Sequence, residues 1–311
     1  KGLFSNSQLW NIKGGEANVT VTIDNNVAYP FFTQDETTGQ YNVTTAQGIK
    51  DVLTLAGAAG AGNTTINIAT DIDLNGVEWT PIKVDGYNGA DIVKVNGNGK
   101  TITGLTGGLF AGGFAGGSGI VIENLTIANS TIIANNTQGY CAFVGCADAM
   151  DEITLTNCHL TNSTIITPND GADESRIGGL IGWTAGYNVQ DDGPVDSHIT
   201  VTRCSVTGCT LKGAGSIGGI VGHAGANAAT FTTIENCTVT NNNLISTDAG
   251  AWRVGVVVGT ANNGQCVINN ITEINNTLSQ TGKTAPAGQS NLYGRFVPAG
   301  TGILVIDGKE L

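Results

Sequence analysis

Two nearly identical phrases of this sequence end in residues that could do chemistry. RIGGLIGW spans 176–183 and SIGGIVGH spans 216–223, and a long polar segment, TAGYNVQDDGPVDSH, follows the first of them over 184–198. An aromatic ring with acidic and Arg groups nearby can stack on a sugar and bond its hydroxyls. The alternative is a Trp that covers a turn beside a solvated acidic loop. The residues predicted to bind a ligand are Arg176, Trp183, Tyr187, Asp191, Asp192, His223 and Trp252.

A polysaccharide-degrading enzyme is a second function that these residues leave open. Hydrolysis of a glycosidic bond needs two carboxylates that flank it, and elimination needs a base with charge stabilisation by calcium or Arg. The chain carries STD over 246–248, DD over 191–192 and GHAG over 222–225, which are fragments of polygalacturonase-like phrases. It lacks an Arg-Ile-Lys phrase, and the order of the fragments differs. We therefore predict no catalytic residue, with a polysaccharide lyase or glycoside hydrolase as the alternative function.

The acidic, Cys and His patterns do not predict a metal site or a cofactor. DIDLNG over 71–76 imitates the start of an EF-hand loop, but the acid required at its twelfth place falls on Ile82. The seven Cys residues have neither CxxC nor repeated zinc spacing, and the three His residues are scattered. We expect no metal and no cofactor.

The elements that must position the candidate site belong to an internal repeat. A second phrase recurs over 120–132, 153–165, 199–211, 232–244 and 266–278. Its apolar residues alternate with period two, skip, and alternate again, which predicts a strand, a bend and another strand. Three of its columns are apolar: Ile122, Leu155, Val201, Ile234 and Ile268; Leu125, Cys158, Cys204, Cys237 and Ile271; and Ile132, Ile165, Leu211, Leu244 and Leu278. We expect the Cys residues to point inward as small hydrophobic groups.

Two further columns of this repeat consist mainly of Asn. Because Asn and Gly tolerate left-handed backbone angles, the first predicts a recurrent αL turn; it reads Asn129, Asn162, Gly208, Asn241 and Asn275. The second contains amides that could bond from one repeat to the next; it reads Asn124, Asn157, Arg203, Asn236 and Asn270.

The Gly-rich phrase supplies another strand to each repeat, so that every unit holds three short strands. A unit of this size cannot bury its apolar face alone, whereas stacked units bury a continuous core. The predicted fold is all-β, a single-stranded right-handed parallel β-helix with three short strands per coil. Its predicted parts are an N-terminal β segment over 1–43, a capping helix over 44–62, the β-helix over 63–282 and a C-terminal cap over 283–311.

Composition excludes two classes of partner. A net charge of −12 and only 12% charged residues leave no basic patch for nucleic acid. No apolar run approaches the roughly 20 residues of a transmembrane helix. The chain begins abruptly at KGLFSNSQLW, as a trimmed mature fragment would.

A family resemblance covers about residues 41–282. The run from AQGIKDVLTLAG through TTINIATDIDLNGVEWTPI and VNGNGKTITGL to GGLF resembles pectin-lyase-like β-helix surface proteins of anaerobic gut bacteria, and the Gly-rich phrases resemble the GLUG motif. That motif also occurs outside the catalytic part of some immunoglobulin A metallopeptidases, but this chain lacks their HExxH zinc site. The resemblance implies an extracellular or outer-surface, adhesin-like protein. Its expected partner is a polysaccharide, or a host or cell-surface glycan or protein.

Overall fold

Parallel strands of successive coils stack side by side in the computed structural model of the chain. The structure describes residues 31–58, 62–84, 92–113, 119–133, 140–148, 152–167, 175–185, 196–225, 227–297 and 302–311. Most of the predicted N-terminal β segment therefore lies outside the described residues. No helix in these ranges is long and apolar enough to cross a membrane.

One helix lies near the start of the described residues. The helix α1, Ala46–Ala56, begins at Thr45, whose side chain accepts a hydrogen bond from the Gly48 amide, as an N-cap residue should. The residues of its apolar face, at helical spacing, are buried: Ile49, Val52, Leu53 and Ala56.

The strands follow one another in short coils. The first strands are β1 Phe32–Gln34, β2 Tyr41–Val43, β3 Thr64–Ile68, β4 Ile72–Asp73, β5 Ile82–Val84, β6 Ile92–Thr103, β7 Phe110–Gly113, β8 Gly119–Ala128, β9 Thr131–Ile133 and β10 Val144–Asp148. The next two coils contain β11 Glu152–Thr156, β12 His159–Thr161, β13 Thr164–Ile166, β14 Arg176–Gly178, β15 Ile181–Ala185, β16 Ser197–Thr202, β17 Ser205–Thr207, β18 Thr210–Gly213, β19 Ser216–Gly218 and β20 Val221–Ala224. The remaining strands are β21 Thr230–Glu235, β22 Thr238–Thr240, β23 Asn243–Ser246, β24 Val254–Gly255, β25 Val258–Ala261, β26 Gln265–Asn269, β27 Thr272–Ile274, β28 Thr277–Gln280, β29 Tyr293–Phe296, β30 Ile303–Ile306 and β31 Lys309–Glu310.

The pairing of these strands confirms the predicted right-handed parallel β-helix. The largest sheet runs through β3, β6, β8, β11, β16, β21, β26 and β30, all paired in parallel. Three smaller sheets complete the coils: β29-β25-β20-β15-β10-β7-β5, β28-β23-β18-β13-β9, and β14-β19-β24. Leu155 pairs with Ile122 and Val201, so the apolar column read from the sequence is a row of neighbours across coils.

The two Asn columns form the corners between strands. Each residue of both columns has a positive φ, including Arg203 at 54° and Gly208 at 67°. Asn157 Nδ2 donates to Asn124 Oδ1 at 2.9 Å, and Asn270 Nδ2 donates to Asn236 Oδ1 at 2.7 Å. The predicted amide ladder therefore exists, but it is interrupted at Arg203.

All seven Cys residues are free and buried, which confirms the inward packing predicted for the Cys column. Cys158, Cys204 and Cys237 are at most 2% exposed and lie in the hydrophobic core. Burial raises the pKa of Cys266 to about 12, so this thiol stays protonated at neutral pH.

The Gly-rich phrase forms two strands rather than the single one expected. In RIGGLIGW, β14 ends at Gly178 and β15 begins at Ile181, and the two strands belong to different sheets. A side chain at Gly178 would collide with the carbonyl oxygen of Ile181, so the sharp bend requires Gly. These coils therefore contain more than the three strands predicted for each. Because the phrase bends in its middle, its first and last residues can meet.

Candidate functional site: an arginine-lined cavity

Two rows of residues converge beside the bend of the Gly-rich phrase. Along the three-stranded sheet, Arg176 pairs with Ser216, and the amide of the next residue, Ile217, bonds to the carbonyl oxygen of Arg253. Along the seven-stranded sheet, consecutive strands bring into register Trp183, His223, Thr260 and Arg295. The Ser216 and Thr260 hydroxyls lie 2.7 Å apart and join the two rows.

Arg176, Trp183 and His223 form one contact group. The Arg176 guanidinium carbon lies 4.3 Å from the centroid of the Trp183 ring, within cation–π range. Arg176 Nε also donates to His223 Nδ1 at 3.2 Å. The bent phrase therefore brings its own ends together, and a residue of the next coil fixes the guanidinium in place.

His223 is a neutral acceptor in this group. Burial, together with the positive charges of Arg176 and Arg253, lowers its pKa to about 3. Because Nδ1 accepts from Arg176, the ring proton sits on Nε2. Nε2 is buried and makes no hydrogen bond with the described residues.

These rows line a cavity of about 360 Å³, which we call the arginine cavity. Its lining residues are Ser175, Arg176, Ser216, His223, Arg253, Thr260, Asn262, Arg295 and Val297. The whole chain contains four Arg residues, and three of them are in this lining. Among the described residues the lining has no Asp or Glu. Outside the lining, Asp248 Oδ2 lies 3.9 Å from Arg253 Nε.

The structure brings together only part of the predicted site. Arg176, Trp183 and His223 are in contact, although Trp183 supports Arg176 and is not itself in the lining. Trp252 lines a separate groove of about 450 Å³ with residues that include Leu278 and Asn291. The other three predicted residues lie outside the described residues: Tyr187, Asp191 and Asp192.

Sequence reasoning missed Arg295 and Asn262 as site residues. Arg295 lies in the phrase NLYGRF. Tyr293 of this phrase pairs with Val258, and both residues are followed by a Gly. This phrase lacks the Gly-Gly pair, so it was assigned to the C-terminal cap. The single Gly before Arg295 is the signal that could have identified it as a further copy.

A second cavity, of about 370 Å³, lies in the N-terminal coils. Its lining is largely apolar and includes Trp79, Pro81, Phe110 and Ile132, with Lys83 as its charged residue. Trp79 is already satisfied there, since its Nε1 donates to the Gly108 carbonyl oxygen at 3.0 Å. This cavity offers few directed polar groups, whereas the arginine cavity offers many.

Comparison with known proteins supports the motif and the fold. The GLUG motif model matches residues 213–245, which include SIGGIVGH and therefore His223. The structure is similar to a crystal structure from Bacteroides ovatus that is provisionally described as an immunoglobulin A1 protease. The TM-score is 0.55 at 16% identity, over 89% of this chain and 80% of that one. At that identity the likeness shows the fold alone. No curated protein matches the chain.

The molecule is thus a right-handed β-helix with a match to the GLUG motif. The predicted resemblance is confirmed for the motif, over 213–245, and for the fold.

Proposed function

We propose that this protein is a secreted or cell-surface β-helix that binds carbohydrate, or a host or cell-surface ligand, in the manner of an adhesin and without chemical turnover. The observation that carries the proposal is the arginine cavity, a polar recess built on rigid strands. Its volume of about 360 Å³ lies within the range of small-ligand sites, near the lower end.

The lining favours binding over catalysis. A glycoside hydrolase needs two carboxylates beside the scissile bond, and the described lining contains none. His223 stays neutral, and its Nδ1 is already used as an acceptor for Arg176, so it is poorly suited to take a proton from a substrate. Arg, Ser, Thr and Asn groups in turn suit the hydroxyls and charged groups of a sugar.

The chain's own Arg residues provide a matched test. The full chain should bind a subset of glycans on an array, and Arg176→Gln should weaken that binding. Arg203→Gln removes the same charge at an exposed corner of the largest sheet, away from the arginine cavity, and should bind as the wild type does. Loss of binding in both variants would contradict the assignment of this site.

Turnover assays distinguish the alternative enzyme. Plant and host polysaccharides incubated with the protein should release no new reducing ends and no unsaturated products. Turnover of any polymer that Asp191→Ala or Asp192→Ala abolishes would overturn the binding-only function. Absence of binding to every glycan on the array would overturn carbohydrate as the ligand.

A further inference from the structure

The charge of the arginine cavity is opposite to that of the chain around it. The protein has a net charge of −12, yet three of its four Arg residues line this one recess. Three guanidinium groups around a small cavity repel one another, and their described lining supplies no Asp or Glu. An anion that entered the recess would reduce this repulsion.

Arg295 is a free cation in this lining. Among the described residues it makes no hydrogen bond or ion pair, and it lies in register with Thr260. Arg253 differs, since Asp248 lies 3.9 Å from its Nε. Arg295 therefore retains its donors for a ligand, and its planar guanidinium matches a carboxylate in a two-point contact.

Arg176 is preorganised rather than free. The Trp183 ring supports one face of its guanidinium, and His223 Nδ1 accepts from its Nε. A guanidinium that is already oriented loses less conformational entropy when it binds. His223 is in this respect a positioning residue, because it acts on a ligand through Arg176.

The remaining polar groups suit the rest of a sugar ring. Asn262 Oδ1 is buried and makes no hydrogen bond with the described residues, so it is an acceptor that a ligand hydroxyl would satisfy. The Ser216 and Thr260 hydroxyls line the same recess. A site with both cationic donors and a neutral acceptor fits an acidic sugar better than a bare inorganic anion.

From these contacts we infer that the arginine cavity binds the carboxylate of an acidic sugar residue, a uronic or sialic acid, with Arg295 and Arg176 as the principal donors. This inference rests on the proposed carbohydrate-binding function and specifies the ligand class of the same site.

The test uses glycans printed in pairs that differ at the acidic group. The probes are trigalacturonate with its methyl ester, and 3′-sialyllactose with its methyl ester, lactose and 3′-sulfolactose. At least one carboxylate should bind about tenfold more tightly than its ester, because the ester removes a charge-assisted contact. That binding should weaken as salt rises. Arg295→Gln should reduce it about tenfold, Arg295→Lys less, and Arg203→Gln should leave it within about twofold. Thermal unfolding of each variant verifies that it is folded.

The outcomes separate the inference from the function on which it rests. Equal binding of an acid and its ester, or undiminished binding by folded Arg295→Gln, overturns the carboxylate inference while the carbohydrate-binding function stands. Tighter binding of 3′-sulfolactose than of either carboxylate also overturns it. Failure to bind any glycan, neutral or acidic, overturns both.

Discussion

Replacement of Arg203 by Asn should stabilise the protein, because Arg203 interrupts an otherwise regular amide ladder. Asn157 bonds to Asn124, and Asn270 bonds to Asn236, each through Nδ2 of the later coil and Oδ1 of the earlier one. An Asn at 203 would donate to Asn157 Oδ1 and accept from Asn236 Nδ2. The two separate pairs would then become one continuous ladder of five amides.

The magnitude follows from two contributions. Each new exposed side-chain hydrogen bond contributes about 0.5–1 kcal/mol, at the lower end of the usual range. Arg203 has a φ of 54°, a left-handed conformation that costs most residues about 1–2 kcal/mol and Asn less. Together these terms predict a gain of about 1–3 kcal/mol in the free energy of unfolding. The melting temperature should rise by several degrees.

Urea and thermal unfolding followed by circular dichroism would measure this gain. Arg203→Gln is the control, since it removes the same charge and introduces an amide, but its longer side chain does not favour the left-handed corner. The part of the gain that comes from the two new hydrogen bonds should disappear when Asn157 and Asn236 are both changed to Ser, whereas the part that comes from the left-handed conformation at 203 should remain. An Arg203→Asn variant no more stable than Arg203→Gln would refute the ladder as a source of stability.

Three further predictions concern His223, the thiols and the Gly-rich bend. The folded pKa of His223, about 3, lies below its ordinary value of 6.5, so the unfolded chain binds more protons between these values. Its stabilising effect is fully present above about pH 6.5 and is lost as pH falls towards 3, by at most about 1.4 kcal/mol per pH unit. The free energy of unfolding, measured in urea at pH 4 and pH 6, should therefore change less between these pH values in His223→Gln than in the wild type. An equal change in the two proteins would contradict the burial of His223 as a neutral group. The seven buried thiols should resist iodoacetamide in the native protein and react after denaturation, so rapid native labelling of Cys266 would contradict its packing. Gly218→Ala should lower the free energy of unfolding by about 1–3 kcal/mol or more, because its methyl group would collide with the Val221 carbonyl oxygen. The methyl group of Gly119→Ala would make only ordinary contacts, so this control variant should lose less stability. Equal losses in the two variants would contradict the steric argument.

The sequence was sufficient to predict the fold because the inward columns obey a simple rule. Most core positions of the repeat are apolar, and nearly all of the corners carry Asn or Gly, so period and turn chemistry agree. Arg203 shows the limit of that reasoning, since a residue that tolerates the αL corner poorly still occupies one at φ 54°. The neighbouring coils fix the backbone there and override the local preference.

Only some of the contacts in the candidate site could be predicted from the sequence. Trp183 and His223 end equivalent phrases of successive repeats, which is sufficient to place them side by side, and their register confirms this. The contact between Arg176 and Trp183 could not be foreseen, because the phrase looked like one strand and such a strand would hold its ends apart. Only the bend after Gly178 shows that residues seven apart are in contact.

The arginine cavity also shows at which positions of the repeat the residue type changes from coil to coil. The three apolar columns of the repeat vary only among Ile, Leu, Val and Cys, because each must fill the same core. The column at the end of the Gly-rich phrases reads instead Cys146, Trp183, His223, Thr260 and Arg295, five different residue types in strict register. A repeated backbone thus presents a row of outward positions at which side chains change while their spacing stays fixed. Three residues of this column, His223, Thr260 and Arg295, line the arginine cavity, so the register of the strands places their side chains next to one another there.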